Sequence, residues 1–235
     1  MHMDDERATN CDPTDRWSLV VPLKRLAEAK SRLAAAADDS LRPHLALAFA
    51  EDTVAAALAC PSVRNVAVVT DDPAASFRLA ALGARIVPDT PSAGLNAALT
   101  HGAEEVRRLC PGAAVAVLNA DLPALRPQEL ARVLAYASGF PRAFLTDRAG
   151  VGTTLLSAAA GTELRPGFGG RSRRRHLASG AVEIPLAGVD SVRQDVDTAE
   201  DLAAALALEV GPRTAERLAM ADRDADGARP AGGVH

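Results

Sequence analysis

The sequence predicts a three-layer α/β domain with a mostly parallel central sheet, and three observations carry that expectation. Short apolar runs of strand length alternate with stretches of helical period along most of the chain. Proline or glycine closes most of these segments, as expected where a strand or helix must stop. Finally, 48% of the 235 residues are apolar and 24% charged, enough to fill one core beneath a polar surface.

Taken in order, Ser18-Leu19-Val20-Val21-Pro22 reads as a buried strand stopped by proline. Leu41, Leu45, Phe49 and Thr53 recur at four-residue spacing in an Ala-rich helix that ends at Cys60-Pro61. The β-branched run Val66 to Thr70 is a second strand, closed by Asp71-Asp72-Pro73. Ala74 to Leu82 is helical with Gly83 as its C-cap. A short strand over Ala84 to Val87 and a long helix from Ser92 to Leu109 follow, then a buried strand from Ala114 to Leu118. In the second half, Pro127 opens a helix over Gln128 to Ala137. Ala143 to Thr146, Thr153 to Ser157 and Val182 to Pro185 are strands, and Thr198 caps a last helix to Leu208.

Composition excludes several classes. Net charge is −4, so no global field draws the chain onto nucleic acid. No apolar run approaches the ~20 residues that cross a bilayer. The acidic opening Met1 to Glu6 lacks the order of a secretion signal. Cys11, Cys60 and Cys110 are scattered without a C-x-x-C, and read as reduced thiols of a cytoplasmic protein. Residues 1–16 and 219–235 lack apolar periodicity and read as disordered extensions of a single domain spanning 17–218.

Sheets of this class bind ligands at the carboxyl ends of their strands, so the loops there deserve inspection first. After the first strand, Lys24, Arg25, Lys30 and Arg32 place four cations within nine residues. They suit the roughly four negative charges of a nucleoside triphosphate, or else form a solvated helix face. There is no G-x-x-x-x-G-K-[ST], which excludes a P-loop. Asn119-Ala120-Asp121-Leu122-Pro123 sets a carboxylate just past a buried strand. Such an oxygen suits Mg²⁺, or the Asp simply caps a turn. In Asp195-Val196-Asp197 the two carboxylates share one side of an extended segment, an arrangement that a cation would relieve; Asp197 or Thr198 serving as a helix cap is the other reading.

Two glycine loops add anion-binding groups. Gly150 to Leu155 brings Thr153 and Thr154 to the mouth of a strand. Gly167 to His176 combines backbone amides, Ser172 and four arginines ahead of a helix. In Ser92-Ala93-Gly94-Leu95-Asn96, Gly94 admits a flat ligand and the Asn96 amide can read a base edge, although a plain helix start has the same pattern. His44, His101 and His176 read as surface or core histidines, and no G-x-S-x-G points to a nucleophile.

Six of these segments, in order, resemble the guanylyltransferases of coenzyme F420 biosynthesis that act on phosphoenolpyruvate or 2-phospho-L-lactate. They are V-V-P-L-K-R-L-A-x-A-K-S-R-L (20–33), S-A-G-L-N-A-A-L (92–99), N-A-D-L-P-A-L (119–125), G-T-T-L-L (152–156), F-G-G-R-S-R-R-R-H (168–176) and D-V-D-T-A-E-D-L (195–202). The resemblance implies a nucleotidyltransferase fold of the glycosyltransferase-A-like kind. It implies transfer of GMP from GTP to phosphoenolpyruvate, giving enolpyruvoyl-2-diphospho-5'-guanosine and pyrophosphate, with 2-phospho-L-lactate as the alternative acceptor. Carried across by motif, Asp121, Asp195 and Asp197 hold Mg²⁺ and Lys24 and Lys30 clamp the triphosphate, with Lys24, Lys30 and Asp121 the catalytic set. Gly94 and Asn96 lie near guanine, and Thr154, Gly169 and Ser172 bind phosphoenolpyruvate. The same likeness leaves room for a homodimer and for handing product to the next transferase. One departure stands out. The family pattern F-G-x-G-S meets Arg171 where its second glycine belongs, which implies strain if that position needs a positive φ. Two other classes remain at this point: a nucleotidyltransferase with another small phosphorylated acceptor, such as a molybdopterin or sugar-phosphate precursor, and a non-catalytic nucleotide-binding module.

Overall fold

The computed structural model describes residues 16–28, 33, 40–90 and 92–227. Seven strands form one sheet: β1 (Trp17–Pro22), β2 (Val63–Val69), β3 (Arg85–Val87), β4 (Val115–Leu118), β5 (Arg142–Leu145), β6 (Leu155–Ala158) and β7 (Val182–Glu183). Their order is β3-β2-β1-β4-β6-β5-β7. The pairs β1–β2, β1–β4, β2–β3 and β5–β7 are parallel, whereas β6 runs antiparallel to both β4 and β5. That single reversal matters for function. It places the start of β6 beside the carboxyl end of β4, where the Asn119 N–H donates to the Thr154 carbonyl at 3.0 Å.

The strands are buried on both faces, which is why they read as continuous apolar runs rather than alternating ones. Leu19, Val21, Val66 and Val68 pack on one face with Ala50 and Val54 of helix α1 (Leu41–Ala59), Ala75 and Leu79 of α2 (Pro73–Ala81), and Leu130 and Leu134 of α4 (Pro127–Ala137). Val20, Ala67, Val117 and Phe144 turn to the other face against Leu99, Ala103 and Val106 of α3 (Leu95–Leu109). The approach of α3 is close. A methyl group on Gly102 would stand 2.6 Å from Val69 and 2.7 Å from Val20. Three shorter helices follow: α5 (Ser172–Ala178), α6 (Asp190–Arg193) and α7 (Ala199–Ala207), the last opened by a Thr198–Asp201 capping box. Helix α8 (Pro212–Gly227) packs on α1. Its first turn is held by the buried Asp52 of α1, which accepts from the Arg213 and Thr214 amides at 3.2 and 2.8 Å.

Most sequence-derived elements stand within three residues of their expected bounds, and the departures have causes. Helix α3 begins at Leu95 rather than Ser92, because Gly94 takes φ +98° and Ser92 φ +58°, neither of which fits a right-handed helix. Helix α6 has four residues, too few to show a period. Helix α8 runs beyond residue 218, where composition set the end of the domain, since its Ala, Arg and Glu content favours helix without a strong apolar stripe. Residues 1–15 of the expected N-terminal extension lie outside the described residues. Cys60 is a buried free thiol, its pKa raised by burial. Cys110 is disulfide-bonded, which corrects the reading of three reduced thiols; spacing along a chain does not report separation in space.

Candidate active site at the carboxyl edge of the sheet

The first loop leaves β1 under tight backbone control. The Leu23 N–H donates to the Val69 carbonyl at 2.9 Å, and the Leu26 N–H to Asp72 Oδ2 at 3.0 Å. Asp72 also caps α2 through its other oxygen, which accepts from the Ala75 amide at 3.0 Å, so one carboxylate joins the ends of β1 and β2. Lys24 and Arg25 in this loop are exposed cations at the rim. Lys30 lies outside the described residues.

Across the sheet, the turn after β4 is braced by Thr53 of α1. Its hydroxyl accepts from the Leu122 amide at 3.0 Å and lies 3.2 Å from the Ala120 carbonyl. The Val196 N–H then donates to the Asp121 carbonyl at 3.0 Å, with Val196 fully buried. This bond sews the Asp195-Val196-Asp197 segment onto the Asp121 turn, so two motifs more than 70 residues apart in sequence share one place. The electrostatics record the meeting. Burial, followed by the charges of Asp121, Asp197 and Asp147, pushes the Asp195 carboxyl up to about 8. Thr198, not Asp197, is the helix cap.

Asp121, Asp195 and Asp197 are hard oxygen donors, and the repulsion recorded at Asp195 is of the kind a cation relieves. Among the described residues, however, no three His, Cys, Asp or Glu side chains are spaced as a ready cage. Oxygen donors of this kind suit Mg²⁺, which keeps water and takes one or two carboxylates plus substrate phosphates rather than a full protein shell.

Asp147, absent from the sequence-derived site, stands two residues beyond β5. Its carboxylate accepts from the Val151 and Gly152 amides at 2.9 and 2.7 Å, which folds the Gly150–Gly152 turn. Gly152 is required here for space. A Cβ at that position would collide with the Asp147 carboxylate. The turn delivers Thr153 and Thr154 to the edge of β6. The Thr154 hydroxyl is buried and has no hydrogen-bond partner among the described residues, a costly state for a polar group unless a ligand meets it.

Opposite lies the loop before α5. Gly169 and Gly170 take φ +93° and +47°, whereas Arg171 has φ −82°. The expected strain at Arg171 is thus corrected: the left-handed positions are both glycines, and the third residue tolerates any side chain. Ser172 is buried, its Oγ 3.1 Å from Thr153 Oγ1. His176, read from the sequence as isolated, is a fully buried ring with both nitrogens engaged, to Thr153 Oγ1 at 2.9 Å and to the Gly167 amide at 3.0 Å. Its four-residue spacing from Ser172 on one helix was the available signal.

Asn96 is placed differently from expectation. Its Oδ1 accepts from the Phe168 amide at 2.8 Å and its Nδ2 donates to the Phe168 carbonyl at 3.2 Å. The amide thus pairs with the backbone of the Gly167–Gly170 loop and ties the start of α3 to that loop. Gly94 has open space where a Cβ would stand, and its φ of +98° suits glycine.

Comparison with known proteins agrees with this architecture. The family described as "Guanylyl transferase CofC like" matches residues 17–218. A phosphoenolpyruvate guanylyltransferase of Streptomyces coelicolor is 70% identical over 200 residues, covering 85% of this chain and 94% of that protein. The protein of the same name from Mycolicibacterium gilvum is 43% identical over 216 residues, covering 90% of this chain and 99% of the relative. Among solved structures, a nucleotidyl transferase from Methanothermobacter superposes with a TM-score of 0.59 at 22% identity, covering 83% of this chain and 98% of that one. A CMP:2-keto-3-deoxy-manno-octonic acid synthetase complexed with CTP gives 0.53 at 17% identity, over 88% and 99% of the two chains. At such identities the two structures speak to the shared fold.

Proposed function

The chain belongs to the CofC-like guanylyl transferase family, and from that premise we propose that it transfers GMP from GTP to phosphoenolpyruvate, releasing pyrophosphate, as a step of coenzyme F420 biosynthesis. The observation that carries the proposal is the junction at the end of β4. There the Asp121 turn is sewn to Asp195 and Asp197 on one side and on the other to Thr154, whose buried hydroxyl has no partner among the described residues. One junction thus offers carboxylates for a metal–triphosphate and a donor for an anionic acceptor.

In this reading Asp121, Asp195 and Asp197 hold Mg²⁺, which when bound neutralises the triphosphate and stabilises charge developing at the α-phosphorus. Lys24, exposed at the rim, clamps the triphosphate together with Lys30. Gly94 lets the guanine approach the backbone, and Asn96 acts by holding the Phe168–Gly169 backbone in place. The Thr154 hydroxyl, the Gly169 amide and Ser172 bind the phosphate and carboxylate of phosphoenolpyruvate and aim a phosphate oxygen at the α-phosphorus. That oxygen is already anionic, so positioning and charge neutralisation suffice and no strong general base is required. Work in the cytoplasm, and hand-off of product to a following transferase, belong to the same reading. No helix among the described residues is long and apolar enough to cross a membrane.

The test is pyrophosphate release with GTP, ATP or CTP against a panel of small phospho-acids, each with and without Mg²⁺. The proposal expects turnover with GTP and phosphoenolpyruvate in the presence of metal. Equal rates with ATP, or none with any phospho-acid, would refute it.

A further inference from the structure

We propose that His176 is a positioning residue that sets the direction of a hydroxyl chain ending at Ser172, so that Ser172 donates its proton to the bound acceptor anion. The inference rests on the reading of Ser172 as part of the acceptor site. It adds a residue and a function that the family assignment does not supply.

The backbone N–H of Gly167 can only donate. The Gly167 N–H meets His176 Nε2 at 3.0 Å, so Nε2 must be the bare, accepting nitrogen. A neutral imidazole then carries its proton on Nδ1, which stands 2.9 Å from Thr153 Oγ1 and donates to it. The ring has little freedom to escape this arrangement. It is fully buried, with Phe144 at 5.6 Å and Phe168 edge-on at 5.1 Å between ring centres. Gly167 is held from its other side as well, since the Arg175 guanidinium Nε donates to its carbonyl at 2.8 Å. Burial, with Arg142 and Arg175 near, lowers the ring's pKa to about 4, so the neutral form persists through the physiological range.

Thr153 therefore accepts a hydrogen bond from the ring and keeps its own proton to donate. Its hydroxyl is 3.1 Å from Ser172 Oγ, and both residues are buried. With no acceptor bound, Ser172 can donate to Thr153. An anionic oxygen can only accept, so its arrival requires the Ser172 proton to turn outward and the Thr153 proton to turn toward Ser172. The chain then runs in one direction: Gly167 amide to His176, His176 to Thr153, Thr153 to Ser172, Ser172 to the acceptor. Every link donates onward, and the chain begins at a backbone amide that cannot reverse.

The experiment uses the full chain in steady-state kinetics with Mg²⁺, GTP and phosphoenolpyruvate, beside GTP binding by calorimetry and thermal melting. His176→Phe keeps the ring volume but removes both hydrogen bonds. It is expected to raise the phosphoenolpyruvate KM by about tenfold or more, the size of one lost charge-assisted hydrogen bond, with GTP affinity within about twofold. His176→Asn places an amide nitrogen where Nδ1 stood and is expected to recover most of the loss. Thr153→Val breaks the middle link without touching the ring and should match His176→Phe, whereas Thr153→Ser should behave as the parent. Equal KM values for His176→Phe and His176→Asn, a parallel loss of GTP affinity, or a parent-like Thr153→Val would overturn the inference. An independent measurement stands even if the parent chain proves not to use phosphoenolpyruvate, a result that would refute the proposed reaction instead. Nitrogen NMR of ¹⁵N-histidine-labelled protein at neutral pH is expected to show His176 protonated on Nδ1 alone. A ring protonated on Nε2, or on both nitrogens, overturns the inference whatever the acceptor.

Discussion

Replacing Gly152 by alanine tests how the acceptor edge is built. The Asp147 carboxylate accepts two amides, from Val151 at 2.9 Å and Gly152 at 2.7 Å, and occupies the space that a Cβ on Gly152 would need. The backbone there is not left-handed, so the conflict is one of space alone. Either the carboxylate swings away or the turn moves, and both routes lose those hydrogen bonds. Bonds to a charged acceptor contribute about 1.5–3 kcal/mol each, so two set an upper limit of ~6 kcal/mol. Val151 is exposed and water recovers part of its share, leaving an expected loss of about 2–3 kcal/mol. The same shift displaces Thr153 and Thr154, and a misplacement of ~1 Å costs up to ~100-fold in kcat/KM. The effect should fall mainly on the acceptor KM. Urea unfolding and initial rates with saturating GTP measure both quantities. Gly150→Ala is the control: it has open space but φ +69°, so it should cost only about 1–2 kcal/mol of backbone strain and spare the acceptor KM. A Gly152→Ala protein within ~0.5 kcal/mol of the parent, with unchanged kcat/KM, would refute the reasoning.

Three further outcomes are expected. Because folding lowers the His176 pKa from 6.5 to about 4, the unfolded chain takes the proton first, and stability is lost as pH falls through that window. The slope is at most ~1.4 kcal/mol per pH unit and the total about 3 kcal/mol, and denaturant titrations across the window should show this component missing from His176→Phe. Asp195→Asn should lose at least ~100-fold in turnover through the metal site. Its metal-free form should nonetheless gain about 1 kcal/mol or more near neutral pH, where the raised folded pKa penalises the parent, as a melting curve in chelator would read. Gly102→Ala should cost about 1–3 kcal/mol by overpacking α3 against Val20 and Val69, while both substrate KM values hold.

What could be read from the sequence follows what is local. The strands ending at Val21, Val69 and Leu118 announced themselves because parallel strands buried on both faces are apolar without interruption. Asp121 and the Asp195–Asp197 pair were legible as acids placed just past such runs or alternating in an extended segment. The bond that joins them was not, since it is a single backbone hydrogen bond, from Val196 to the Asp121 carbonyl. Asp147 was missed for a related reason. Its work is to accept the amides of Val151 and Gly152, and an isolated Asp before a glycine turn has no chemical signature. Asn96 shows what a local pattern leaves open: a donor and an acceptor of its amide pair with the Phe168 backbone, a contact 72 residues away in sequence. His176 looked isolated because its partners, Thr153 and Gly167, reach it only once the loop before α5 closes over the end of β6.

The measurement that bears most directly on the account is a competition. Phosphoenolpyruvate and 2-phospho-L-lactate are offered at equal concentration with limiting GTP and Mg²⁺, and the guanylylated products are separated by mass. The phosphoenolpyruvate adduct is expected to dominate, with pyrophosphate formed in equal amount, and both are expected to vanish in Asp121→Asn. A dominant phospholactate adduct would contradict the acceptor assignment, and adducts undiminished in Asp121→Asn would contradict the placement of the reaction at the end of β4.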